Sequence, residues 1–202
     1  KGAQVDSYIP ARAEGYGLSK DALAEIARRG TTLVISVDAG VTAVEEAAFA
    51  KELGMDLIIT DHHQCASTLP DAAAVVDPHR PDCRYPSKEL AGVGVAFTLL
   101  RALEGNDEEI LARYGDVVAL GTLADVMPLT GENRRIVAEG MALLCDTENK
   151  GLCALAKEAS LSKTLTPIAV SFTLAPRINA AGRMASADEA LSLFLAETEE
   201  EA

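Results

Sequence analysis

The side chains whose types and spacing could do chemistry are a small set of aspartates and histidines. The stretch Leu57–Gln64, LIITDHHQ, ends an apolar run on three consecutive groups able to hold a metal or a proton: Asp61, His62 and His63. The whole chain has only 3 histidines. A second apolar run, TTLVISVDAG, ends likewise on Asp38. If the two runs are parallel strands of one sheet, both carboxylates stand beyond their carboxyl ends, where open α/β sheets bind ligands. Oxygen and imidazole donors mixed in this way suit Mn²⁺ or a similar borderline cation, and Mg²⁺ less exclusively. Two such ions about 3.5–4 Å apart, sharing a carboxylate, activate a water and steady the leaving oxygen of a phosphoester. Asp38 alone carries little weight, because strand-end and helix-capping aspartates are common. The two adjacent histidines favour a metal site over a solvated turn.

Other residues are less decided by their surroundings. Asp125, in ALGTLADVMPL, interrupts an apolar helix just before Pro128, as a solvent-facing end or as an inward-facing ligand. Asp116 sits where a helix would start and is explained by capping. His79, in VVDPHRPDC, follows a strand end between prolines and suits a structural or surface role. APRINAAGRM gathers Arg177, Asn179 and Arg183 among small residues, a setting for bidentate phosphate contact or an ordinary helix end. YIPARAEGYGLS places Arg12 and Tyr16 with two glycines, to grip a phosphate and stack on a base, or as a packed connector.

The elements that must position these groups alternate in the first half. LSKDALAEIARRG predicts a helix capped by Ser19 and ended by Gly30. A buried strand ending at Asp38 follows, then a helix over TAVEEAAFAKELG with Thr42 and Glu45 at capping-box spacing. DLIITD is a second strand and AAAVVDP a third. Strands separated by helices of this length imply right-handed crossovers and a parallel sheet, an α/β doubly wound fold. From about Leu90 the pattern is helical throughout. The last segment has capping-box spacing at Ser186 and Glu189 and runs into an acidic helix without a stop. That fits the start of an interdomain linker helix over 186–202, or a frayed tail.

With 202 residues, 49% hydrophobic and 24% charged, the chain is long enough for a real core and ordinary for a soluble protein. No apolar run approaches a membrane span. Cys65, Cys83, Cys145 and Cys153 show no CxxC spacing and fit a reducing cytoplasm better than a disulfide framework. The net charge of −13 opposes nucleic-acid binding by the chain as a whole, and 4% aromatics with no Trp offers no evident stacking platform. Bound divalent cations, or a basic surface elsewhere in a longer protein, would offset this.

Assembled in order, these segments resemble the DHH phosphoesterase superfamily, and within it the RecJ family of single-stranded-DNA-specific 5′→3′ exonucleases. Asp61–His63 is similar to the motif that names the superfamily. VISVDAG and GTLADVMPL resemble the flanking aspartate motifs, and YIPARAEGYGLS, LAGVGVAF and PRINAAGR resemble segments particular to the RecJ branch. The resemblance implies a partial DHH catalytic domain over 1–185. Asp38 would bridge two Mn²⁺ (or Mg²⁺) ions, with His62 and Asp125 as further ligands and Asp61 and His63 as supporting catalytic residues. Arg12, Tyr16, Arg177, Asn179 and Arg183 would contact substrate. It also implies attack of metal-activated water on single-stranded DNA from its 5′ end, releasing mononucleotides in DNA repair and recombination. Single-strand-binding protein and helicase partners are expected on the same ground.

The chain departs from the family pattern in lacking the first Asp-x-Asp motif and the C-terminal DHH-associated domain. It therefore reads as the central part of a catalytic domain that alone binds metal incompletely. Ala11 and Ala13 replace an Asn and an aromatic, Ala39 a Cys, and Asp77 an Asn. Two rivals share the same residues: a DHH phosphoesterase acting on oligoribonucleotides, cyclic dinucleotides or pyrophosphate, and a non-catalytic DHH-fold scaffold.

Overall fold

The structure, a computed structural model, describes residues 2–11, 14–161, 165–184 and 187–202, the side chains of residues 182–184 excepted. Helix α1 (Lys20–Arg28) begins where the Ser19 hydroxyl accepts the Ala22 N–H at 3.2 Å, and it stops at Gly30 in a left-handed conformation. Three short strands follow: β1 (Leu33–Val37), β2 (Asp56–Thr60) and β3 (Ala74–Val76), with α2 (Val44–Glu52) between the first two. They form one parallel sheet in the order β1-β2-β3, with Val34 opposite Leu57 and Ile59 opposite Val75.

Alternation along the strands sends successive side chains to opposite faces. One face, with Val34, Leu57, Ile59 and Val75, packs on Leu23 of α1 and Ala47 and Ala50 of α2. The other meets α3 (Gly92–Glu104), where Leu90 and Val95 pack near Val76. Helices therefore stand on both faces, as in a doubly wound α/β arrangement, although α3 leaves Leu33, Ile35 and Val37 of β1 exposed on its side. Burying a side chain such as Leu23 or Ile59, each 0% exposed, stabilises the fold by roughly 1.5–3 kcal/mol.

The rest is helical. Helix α4 (Asp107–Ala124) lies against α3 and against α5 (Gly131–Cys145). Next come α6 (Lys150–Glu158), a short α7 (Pro167–Ala169), a π-helical turn over Val170–Leu174, α8 (Ala175–Met184) and α9 (Ala187–Leu195). A separate core of Leu120, Leu123, Val137, Leu144, Leu152, Val170 and Leu174 holds this half together.

Four local expectations need correction. Helix α2 starts one residue later than a Thr42 cap requires: Ala43 is its cap, and no side chain bonds there. Asp116 does not cap a helix start, because α4 begins at Asp107 with Asn106 accepting the Glu109 N–H at 3.2 Å. Asp116 instead accepts the Thr147 hydroxyl at 2.6 Å, tying mid-α4 to the α5–α6 turn. Strand β1 is less buried than expected: among the described residues it pairs on one side only, and Leu33, Ile35 and Val37 remain 46%, 49% and 62% exposed. Finally, the acidic tail does not extend a helix. Helix α9 ends at Leu195, and Glu201 folds back to accept the N–H groups of Glu197 and Thr198. The Ser186 cap lies outside the described residues.

Candidate metal centre

Strands β1 and β2 pair in register Val37 to Thr60, so the residues that follow them, Asp38 and Asp61, emerge side by side. Two buried hydroxyls hold this edge. Thr60 Oγ1 donates to the Ser36 carbonyl and Ser36 Oγ to the Ala39 carbonyl, both at 2.7 Å. Neither was foreseen from sequence. Hydroxyl residues at the ends of apolar runs were the available sign.

Asp61 is 2% exposed. Its Oδ2 accepts the Val41 N–H at 2.9 Å, and its Oδ1 accepts the His62 N–H at 2.8 Å and faces His63 Nδ1 at 2.7 Å. Burial pushes its carboxyl up, but these hydrogen bonds prevail and hold it below the usual range. Asp61 thus fixes the loop and the His63 ring instead of facing the cleft. The same bond raises the His63 imidazole above its ordinary value, against desolvation.

Asp38 adopts the left-handed conformation, φ 60°, which is uncommon outside glycine. That turn brings its carboxylate to His62: Asp38 Oδ1 lies 3.0 Å from His62 Nε2. Asp125, the residue that ends α4, brings Oδ2 to 3.6 Å from the same nitrogen. Val126 then turns sharply away with φ 56°. Desolvation raises the Asp38 carboxyl; His62 draws it down and Asp125 pushes it up further. Among the described residues, no lysine or arginine pairs with either carboxylate.

These groups fit a divalent cation. Asp38, His62 and His63 each offer a ligand atom, and those atoms lie within 4.8 Å of one another. Two carboxylates aimed at one imidazole nitrogen, with no lysine or arginine of the described residues between them, form an oxygen–nitrogen donor set of the kind borderline divalent ions take. His62 Nδ1 is buried without a partner among the described residues.

Tyr16 closes one side. Its hydroxyl donates to the Asp38 carbonyl, and its ring stands edge-on to His63, centroids 5.9 Å apart. Loss of solvent around the hydroxyl, with the charges of Asp38, Asp61 and Asp125, pushes its pKa up to about 12. Arg177 and Asn179 lie exposed on α8, and Arg177 Nη1 bonds the Thr173 carbonyl at 2.9 Å. The π-helical turn before α8 is anchored by Ser171, whose hydroxyl meets the Leu123 carbonyl at 3.0 Å, two residues before Asp125. Arg12 and the Arg183 side chain lie outside the described residues. His79 is apart from this cluster; its N–H donates to buried Asp77 at 2.6 Å, a structural turn.

The family model for the DHH family, N-terminal domain, matches residues 1–122. The chain is 49% identical over 203 residues to the single-stranded-DNA-specific exonuclease RecJ of Bacillus subtilis (strain 168), covering 99% of this chain and 25% of that protein. It is 38% identical over 210 residues to the same-named exonuclease of Escherichia coli (strain K12), covering 96% and 36%. The chain thus spans between a quarter and about a third of these relatives. A crystal structure of exonuclease RecJ bound to manganese superposes with a TM-score of 0.86 at 38% identity, covering 100% of this chain and 51% of that one. RecJ from Thermus thermophilus in complex with Mn²⁺ gives 0.78 at 35% identity, covering 91% and 28%.

Proposed function

The chain belongs to the DHH family, and from that premise we propose that it forms the metal centre of a single-stranded-DNA-specific 5′→3′ exonuclease within a longer cytoplasmic protein. The observation that supports this reading best is the convergence of Asp38 and Asp125 on His62 Nε2. Asp38, His62 and Asp125 would hold Mn²⁺ or Mg²⁺, two ions in the complete site. Bound there, the ions supply Lewis-acid activation of water and neutralise charge building on the phosphoryl group.

The chain's own residues prepare that chemistry. Asp61 anchors the loop and orients His63 through Nδ1, which leaves His63 Nε2 to face a substrate phosphate and hold or move a proton there. Tyr16 keeps Asp38 turned towards His62. Arg177, Asn179, Arg12 and Arg183 would grip phosphates, countering an acidic surface that otherwise repels DNA.

The test uses the full-length protein that carries this chain, with Mn²⁺ and single-stranded DNA labelled at either end, beside a His62→Ala variant. Progressive loss of mononucleotides from the 5′ end, abolished in the variant, is the expected result. Intact DNA with cleaved dinucleotides or pyrophosphate would move the substrate to small phosphoesters. Mn²⁺ binding without any cleavage would leave a non-catalytic scaffold.

A further inference from the structure

The two carboxylates that meet at His62 come from opposite ends of the fold's organisation: Asp38 from the sheet, Asp125 from the helical half. Something must set the distance between them. The first turn of α3 lies between them and touches both sides. Gly92 is packed so closely on Asp38 that a Cβ there would fall 2.3 Å from Asp38 Oδ1 and 2.6 Å from its Cβ. Those are separations no real side chain tolerates. The next residue, Val93, fills the space over Gly121 of α4, where an added Cβ would lie 2.7 Å from Val93 Cγ1. The Gly121 carbonyl in turn accepts the Asp125 N–H at 3.0 Å.

A short mechanical path therefore runs from one carboxylate to the other: Asp38, Gly92, Val93, Gly121, Asp125. The Asn133 amide holds both approaches to it, donating to the Glu89 carbonyl ahead of α3 and, at 3.1 Å, to the Pro128 carbonyl after Asp125. Asn133 is 2% exposed, so these bonds do not compete with water.

We propose that the Gly92–Val93 turn is the spacer that sets the separation of Asp38 and Asp125 across His62, making Gly92 and Gly121 positioning residues for the metal centre. The proposal rests on the metal-binding reading given above. An extra methyl at 92 moves the Asp38 carboxylate itself, and one at 121 pushes α3 and α4 apart and carries Asp125 with it. The second displacement is reversible by design, because trimming Val93 to Ala removes the methyl groups that an alanine at 121 meets.

The experiment titrates Mn²⁺ calorimetrically into the full-length protein, with metal-free thermal unfolding measured in parallel. Gly92→Ala and Gly121→Ala should each weaken Mn²⁺ binding by at least about tenfold, the range seen when groups that orient metal ligands are disturbed. Adding Val93→Ala to Gly121→Ala should restore most of that affinity, which a general loss of packing would not do. Wild-type affinity in Gly92→Ala, or a double variant no better than Gly121→Ala, overturns the spacer. If Gly92→Ala does not fold, the Gly121/Val93 pair decides alone. A wild-type protein that binds no Mn²⁺ overturns the metal-centre reading itself, and the spacer with it.

Discussion

His63 Nδ1 and Asp61 Oδ1 face each other at 2.7 Å, although only one residue separates them in the chain. The bond raises the His63 pKa above 6.5, so the charged ring is favoured in the folded state. A raised pKa contributes stability that is fully present below the unfolded value and is lost as pH rises through the folded one. In metal-free protein, the stability gap between wild type and His63→Gln should therefore narrow as pH rises above the ordinary histidine value of 6.5. Thermal unfolding over that rise measures it, and a constant or widening gap would rule the bond out as a charged pair. The gap itself should be modest, because His63 is half exposed and solvent screens it.

Asp61→Asn tests the other partner. The substitution keeps the shape but weakens the bonds to the Val41 and His63 groups, at a cost of roughly 1–3 kcal/mol. Through the freed His63 ring and loop it should also reduce Mn²⁺ affinity by about 10–100-fold. Unchanged metal binding would make Asp61 purely structural.

Ile59 is 0% exposed in β2, the middle strand, where it packs against the α1–α2 layer. Ile59→Ala should destabilise by roughly 2–5 kcal/mol in urea unfolding, the usual cost of an unfilled core cavity. A loss below about 1 kcal/mol would mean that the neighbouring side chains collapse into the gap.

Arg177 is exposed on α8, beyond the anchored π-helical turn. If it grips a substrate phosphate, Arg177→Ala should raise KM for single-stranded DNA about tenfold at little change in kcat, as loss of one charge-assisted hydrogen bond predicts. The effect should shrink as salt is raised. An unchanged KM would return Arg177 to the helix surface.

Much of this architecture is legible in the sequence. The β-branched runs, Ser19 and Gly30 locate the strands and α1, because local chemistry decides them. The row Asp61–His63 marks the strand end, but not that Asp61 turns inward to the Val41 N–H and the His63 ring instead of into the cleft. Asp125 was not decidable, because its direction depends on where α4 ends relative to a sheet formed 65 residues earlier in the chain, at Thr60. Asp116 misled for a related reason: Asn106 starts the helix ten residues sooner, and a polar residue inside it looks like a start. The contact of Gly92 with Asp38 was invisible because a glycine carries no chemical sign of what it makes room for.

The exposed edge of β1 has a practical consequence for anyone handling this chain by itself. Its outer backbone groups have no strand partner among the described residues, and Leu33, Ile35 and Val37 line the uncovered face beside them. Such an edge is a template for strand-to-strand association. Preparations of the isolated chain should self-associate as protein concentration rises, with sedimentation coefficients that climb on concentration and fall when a lysine replaces Ile35. Metal titrations made at calorimetric concentrations would then report on assemblies, whereas those made at spectroscopic dilution would report on single molecules.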